Sequence, residues 1–299
     1  MTLILGFEDY LPQAEKLSHC LSIPVKMVKL HQFPDGETKV TLPEELPNKV
    51  IICRSLNQPN EKLIELIITA SAAKQQGVEH VTLVAPYLCY MRQDKAFIKG
   101  EAISQKIIGK LLSEYFDSVI TVDPHLHRIN NLSEAIPNKS AITLHASNAI
   151  SNFLHQKFKH PVVIGPDEES EQWVKAIASP HQWRYTIATK QRYSDTKVEV
   201  SFCENSPNEN TKLDLTNQDI IIVDDIASTG RTLEQAVIQI KKQNPQSISV
   251  IVTHAFFVDK AIEQLNSLGV NNIWSSDSIP HATNAFSIID TIAEKLKLS

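Results

Sequence analysis

The sequence predicts an α/β fold of two tandem domains with largely parallel sheets. Three observations lead there. Short apolar runs alternate with segments of helical period, a strand–loop–helix–strand unit occurs twice, and 299 residues suffice for two domains of ordinary size. Strands are expected at Leu3–Leu5, Val50–Cys53, Val81–Ala85, Val119–Val122, Val162–Ile164, Ile220–Val223, Ser249–Thr253 and Ile273–Trp274. Most of these runs are continuously apolar, the pattern of strands covered on both faces. Between them lie helices. In one, Leu233, Ala236, Val237 and Ile240 recur at i, i+3, i+4 and i+7 along a buried face. Thr229 is the expected N-cap of that helix, and Asn244-Pro245 marks its end.

The repeated unit sets "VIICRSLNQPNEKLIELIITASAAKQQGVEHVTLVAPY" beside "IIIVDDIASTGRTLEQAVIQIKKQNPQSISVIVTHAFF". A shift of 170 pairs Leu63 with Leu233, Ile52 with Ile222 and Val78 with Ile248 without a gap. The expected domains are residues 1–145 and 146–299, with the last helix packing back on the N-terminal domain. The loops differ: "RSLNQPN" follows the first strand and "DDIASTG" the second, so if the two halves share a fold, rather than resembling each other as any two α/β units do, they have divided the labour. A polar stretch from Tyr193 to Gln218, broken by "VEVSF", reads as a surface hairpin or flap near a site.

Composition limits the function. Apolar residues make up 42% of the chain and charged residues 21%, normal for a globular protein, and the net charge of −5 gives no support for general nucleic-acid binding. No run is long enough to span a membrane, and the start lacks the basic region of a signal peptide. Cys20, Cys53, Cys89 and Cys203 are far apart and form no C-x-x-C pair. They read as reduced thiols of a cytoplasmic protein without structural zinc.

Asp224 and Asp225 close the apolar run of "IIIVDDIASTGRTL", where ligands bind in open α/β sheets. Paired carboxylates accept hydrogen bonds from vicinal hydroxyls. The small turn Ser228, Thr229, Gly230, Arg231, Thr232 then opens a helix, whose N–H groups and dipole favour an anion. Sugar hydroxyls beside a phosphate describe a ribose phosphate; the plainer alternative is a capping turn with surface aspartates. Neither a G-x-x-x-x-G-K-[ST] loop nor a G-x-G-x-x-G occurs.

"VDDIASTGRT" resembles the phosphoribosyl diphosphate loop of type I phosphoribosyltransferases. With "FPDGE" (33–37), "PYLCYMRQDK" (86–95), "TVDPHLH" (121–127), "GPD" (165–167) and "KQR" (190–192), the chain resembles the ribose-phosphate pyrophosphokinases over nearly its whole length. The resemblance implies two phosphoribosyltransferase type I-like domains. It also implies transfer of the diphosphoryl group of ATP to the C1 hydroxyl of ribose 5-phosphate, giving phosphoribosyl diphosphate and AMP with magnesium.

By the same resemblance, Asp35, Gly36, Glu37, Arg92 and Gln93 contact ATP, the first three often reaching a neighbouring subunit's site. That implies a homodimer or a higher homo-oligomer. His125 and Asp167 belong to the magnesium site, and His127 ranks below them. Lys190 and Arg192 are the catalytic pair; Arg192, Asp224, Asp225 and Ser228–Thr232 form the ribose 5-phosphate site. Two departures stand out. Arg231 occupies a position that is usually glycine, and "GPDEES" carries Glu168 and Glu169 where the family often has small residues. The competing readings are a catalytically silent synthetase-associated partner and a phosphoribosyltransferase consuming the same compound.

Overall fold

The computed structural model describes residues 1–298 except 127, 130, 138–139, 193–197 and 203–212, with backbone alone for 189–192 and 198–202. Two compact units result. Unit one comprises Met1–His145, Ser278–Pro280 and Ile288–Ser299; unit two comprises Ala146–Asp277 and His281–Ser287.

Unit one runs β1 (Thr2–Gly6), α1 (Leu11–Leu21), β2 (Val25–Met27), β3 (Lys29–Gln32), β4 (Thr38–Thr41), β5 (Lys49–Cys53), α2 (Pro59–Gln75), β6 (His80–Val84), α3 (Ser104–Tyr115), β7 (Ser118–Val122), α4 (Leu132–Ala135) and β8 (Ser140–Leu144). The main sheet has the order β2-β1-β5-β6-β7-β8 and every pairing in it is parallel. Alternation along the strands sends Leu3, Leu5, Val50, Ile52, Val81, Leu83 and Val119 to one face, against Leu63, Leu66 and Ala70 of α2 and Leu112 of α3. Each such fully buried aliphatic side chain contributes about 1.5–3 kcal/mol. The hairpin β3–β4 stands apart as its own antiparallel pair.

Unit two runs α5 (Ser147–His155), β9 (Val162–Gly165), α6 (Glu171–Ala178), β10 (Arg184–Arg192), β11 (Val198–Phe202), β12 (Asp219–Ala227), α7 (Arg231–Lys241), β13 (Ser247–Ala255), α8 (Ala261–Ser267), β14 (Asn272–Ser276) and β15 (Asn284–Phe286). The closing helix α9 (Ile289–Lys297) belongs to unit one, where it packs on α1. Cys20 Sγ donates there to Asp290 Oδ1 at 3.3 Å. The second sheet has the order β11-β10-β9-β12-β13-β14-β15, parallel apart from the β10–β11 hairpin. Its core joins Ile164, Ile220, Ile222, Val250 and Val252 to Leu233, Ala236, Val237 and Ile240, the expected face of α7.

Three expectations need correction. The repeat is real in topology but not gapless. Ile52 pairs with Leu83, thirty-one residues on, whereas Ile222 pairs with Val250, twenty-eight on. The register therefore aligns Val81, not Val78, with Ile248. The three-residue excess is close to one helical turn, and α2 spans 17 residues against 11 in α7. Thr229 is not the cap of α7: Gly230 holds that place at φ +74 with no side-chain cap, because the turn enters the helix through a left-handed residue. The strand predicted at Ile220–Val223 continues to Ala227, since the backbone of Asp224, Ile226 and Ala227 goes on pairing with β13.

Candidate active site

In unit two, Gly165 ends β9, and Asp167 follows as the N-cap of a short 3-10 turn at residues 168–170. A Cβ on Gly165 would lie 2.1 Å from Ser170 Oγ, so the close approach requires glycine. Ser170 Oγ donates to the Asp167 carbonyl at 2.5 Å, and Ser170 N–H donates to Asp167 Oδ1 at 3.3 Å. The carboxylate of Asp167 is thereby anchored. Glu168 and Glu169 are exposed. On the neighbouring strand, Asp225 is buried and Asp224 half-buried, and Asp225 N–H donates to Asp224 Oδ1 at 3.0 Å. Burial raises the Asp224 carboxyl well above the ordinary range, and the carboxylates of Asp225 and Asp167 raise it further. The structure thus brings Asp167, Asp224 and Asp225 together.

The turn beyond is held from behind. Phe256 and Phe257 N–H donate to the Ala227 carbonyl, both at 2.9 Å, and Val258 N–H donates to the Ser228 carbonyl at 3.1 Å. Each trans peptide sets its N–H opposite its C=O. The N–H groups of Ser228 and Thr229 therefore face away from those contacts. Gly230 at φ +74 then turns the chain into α7, whose first residues, Arg231 and Thr232, are exposed. The turn thus presents N–H groups of a kind that can take an anion, beside carboxylates of a kind that can accept hydroxyl hydrogen bonds. Lys190 and Arg192 lie on β10, opposite Val200 and Val198 of β11. Their side chains fall outside the described residues, as does most of the stretch from Tyr193 to Gln218.

The matching strand end in unit one is chemically inverted. Register places Arg54 where unit two has Asp224. Arg54 is buried, with Nε 3.0 Å from Asp9 Oδ1 and Nη1 2.5 Å from Glu65 Oε2, over the Phe7 ring at 4.3 Å. Lys62 Nζ reaches Asp9 Oδ2 at 2.7 Å, and burial lowers its pKa. Two cations and two carboxylates satisfy one another here, and the crevice is filled.

The remaining unit-one residues lie on loops. Asp35, Gly36 and Glu37 form the exposed tip between β3 and β4. Gly36 sits at φ +92, and Glu37 N–H donates to Asp35 Oδ1 at 3.1 Å. Arg92 is exposed and Gln93 half-buried, in the loop between β6 and α3. His125 is half-buried beyond β7; His127 lies outside the described residues. The Asp35–Glu37, Arg92–Gln93 and His125 positions thus belong to unit one, and Asp167, Asp224, Asp225 and the 228–232 turn to unit two.

Sequence reasoning missed three partners. His145 Nδ1 lies 2.9 Å from Asp123 Oδ1, and this hydrogen bond raises the His145 pKa. The signal was the strand β8: Val122 pairs with Leu144, so the residues that follow them meet. Arg128 pairs with Asp94, and Gln105 holds Met91. Among the described residues no group of three or more His, Cys, Asp or Glu side chains is arranged to hold a metal. Likewise, no helix is long and apolar enough to cross a membrane.

Comparison with known proteins decides the family. Residues 2–115 match the N-terminal domain of ribose phosphate pyrophosphokinase, and residues 134–288 match the phosphoribosyl transferase domain. The ribose-phosphate pyrophosphokinase of Methanopyrus kandleri is 30% identical over 298 residues, covering 99% of this chain and 98% of its own. The chain belongs to the ribose-phosphate pyrophosphokinase family. The Saccharolobus solfataricus ribose-phosphate pyrophosphokinase is 32% identical over 268 residues, 89% of each chain. The fold is that of the phosphoribosylpyrophosphate synthetase of Mycobacterium smegmatis, with a TM-score of 0.84 at 20% identity, covering 99% of this chain and 98% of that one. Within this pyrophosphokinase family fold, both units carry phosphoribosyltransferase-like sheets, and unit two alone keeps the open acidic strand end.

Proposed function

We propose that this chain transfers the diphosphoryl group of ATP to the C1 hydroxyl of ribose 5-phosphate, yielding phosphoribosyl diphosphate and AMP for nucleotide biosynthesis. The observation that carries the reading is the strand end of unit two. There three carboxylates stand beside an outward-facing N–H turn on a chain that matches the family along both halves. In this reading the C-terminal half, 146–299, holds the sugar phosphate through Asp224, Asp225 and Ser228–Thr232. The N-terminal half, 1–145, supplies Asp35, Gly36, Glu37, Arg92 and Gln93 to ATP. Lys190 and Arg192 stabilise charge on the transferred group.

A metal ion fits the donor chemistry. Asp225 and Asp167 raise the Asp224 carboxyl, and a hard cation would relieve that repulsion; magnesium takes one or two carboxylates and fills its shell with water and phosphate oxygens. His125 in unit one and Asp167 in unit two are each proposed as metal-site residues; a bound ion would neutralise charge on the phosphoryl oxygens. We also place the protein in the cytoplasm as a homodimer or higher oligomer, with the exposed 35–37 tip serving a neighbouring copy. The silent-partner reading is not favoured: the proposed site positions are kept, and Arg231 is exposed at the helix start.

The test is incubation of purified protein with ATP, magnesium and ribose 5-phosphate. AMP and phosphoribosyl diphosphate should form in equal amounts. No AMP despite binding of both substrates would establish the silent partner, and consumption of added phosphoribosyl diphosphate with a nucleobase would establish a phosphoribosyltransferase.

A further inference from the structure

The loop that joins β6 to α3 carries Arg92, Gln93, Asp94 and Lys95, and the Asp94 side chain in it is 2% exposed. A carboxylate so enclosed needs a compensating charge. It has one from outside its own loop: Arg128 Nη1 lies 2.6 Å from Asp94 Oδ1 and 2.8 Å from Oδ2, across a separation of 34 residues. The pair is unequal. The Arg128 side chain remains 48% exposed, so the carboxylate depends on the arginine far more than the reverse. Exposed ion pairs contribute little, but this one satisfies a group that water scarcely reaches.

The opposite side of the loop is held by α3. Gln105, itself buried, donates from Nε2 to the Met91 carbonyl at 3.0 Å and from its backbone N–H to the Gln93 carbonyl at 3.2 Å. With both sides fixed, Arg92 stands exposed on the loop. Arg128 also follows His125 by three residues on the segment between β7 and α4. The single ion pair therefore couples the proposed nucleotide loop to the segment that bears a proposed metal residue.

We propose that Arg128 is a positioning residue for the nucleotide loop, acting through Asp94 rather than by touching substrate. The proposal rests on the ATP reading of residues 92–93. It predicts that losing the arginine charge frees the loop and weakens ATP, and that neutralising its partner repairs the damage. The variants are Arg128→Met, Arg128→Lys, Asp94→Asn and the double Arg128→Met/Asp94→Asn. For Arg128→Met, the ATP KM should rise on the order of tenfold, with kcat and the ribose 5-phosphate KM within about twofold. Arg128→Lys should recover part of the loss. The double variant should bind ATP better than Arg128→Met alone, because an asparagine at 94 requires no counter-charge.

An ATP KM within about twofold of the parent in folded Arg128→Met overturns the proposal. So does a double variant no better than the single, since Arg128 would then serve the nucleotide directly or the fold alone. Should Arg128→Met not fold, the double variant still decides, and its failure to fold or to bind ATP overturns the proposal. Amide exchange without nucleotide separates this idea from the ATP reading itself. Residues 91–98 should exchange on the order of tenfold faster in Arg128→Met even if the parent binds no ATP; unchanged protection overturns the positioning role.

Discussion

Replacing Gly109 with alanine sets two effects of known size against each other. In an isolated helix the change gains about 1 kcal/mol, because alanine is the best helix former and glycine among the poorest. Gly109 lies within α3, where that gain would apply. A Cβ at this position, however, would stand 1.9 Å from the Ala135 carbonyl oxygen and 2.7 Å from its carbon. An ordinary carbon–oxygen contact is about 3.3 Å, so α3 and α4 would have to part by roughly 1.4 Å. The obstacle is backbone, and no rotamer change relieves it. Overpacking of this kind costs about 1–3 kcal/mol, and a clash this deep belongs at the upper end. The net expectation is a loss of about 2 kcal/mol, a fall in Tm of about 4–8 °C for a unit of this size. Calorimetry on Gly109→Ala, with Lys110→Ala as an exposed control on the same helix, reads the difference. A melting temperature equal to or above the parent's would refute the close-packing argument and show that α4 moves at little cost.

Asp224→Asn should stabilise the ligand-free, metal-free protein at pH 7 while weakening ribose 5-phosphate. The folded pKa is raised, so ionising Asp224 opposes folding. That penalty is absent below the unfolded value of about 3.9 and grows as pH rises toward the folded pKa. Urea titration at pH 3.5 and 7 should show the gain at the higher pH only. Gly230→Ala places a side chain at φ +74 with a Cβ 3.2 Å from that of Ala261, so stability should fall by about 1–2 kcal/mol and the ribose 5-phosphate KM should rise; steady-state kinetics with equal stability and equal KM would remove the turn from the site. Arg231→Gly should leave the ribose 5-phosphate KM level or raise it, and a large gain in activity would show that the arginine obstructs the cradle. Burial pushes the Cys89 thiol up to about 12, so at pH 8 only about one part in ten thousand is thiolate, and mass-spectrometric mapping of alkylation should find it unmodified until the protein unfolds.

Some features of this protein are local, and the sequence alone determined them. The strands at Leu3, Val50, Val81, Val162 and Ser249 are legible because a strand covered on both faces has no reason to alternate. The face of α7 follows from spacing, and the acidic strand end at Asp224–Asp225 is visible because carboxylates closing an apolar run are costly unless used. The short strands β2 and β15 and the hairpin β3–β4 were missed, since three or four residues of mixed polarity carry no period. Other features are relations between distant segments, which only the tertiary structure decided. The sequence shows Arg54 and Glu65 as two charges among many; folding buries them with Asp9 and Lys62 and fills the first crevice. Asp123 meets His145, and Asp94 meets Arg128, only because adjacent parallel strands bring their following loops side by side. The three-residue excess in the first repeat was likewise invisible, because a helix can lengthen by about one turn and keep the same face buried. Register between strands, which depends on pairing across the sheet and not along the chain, is what exposed it.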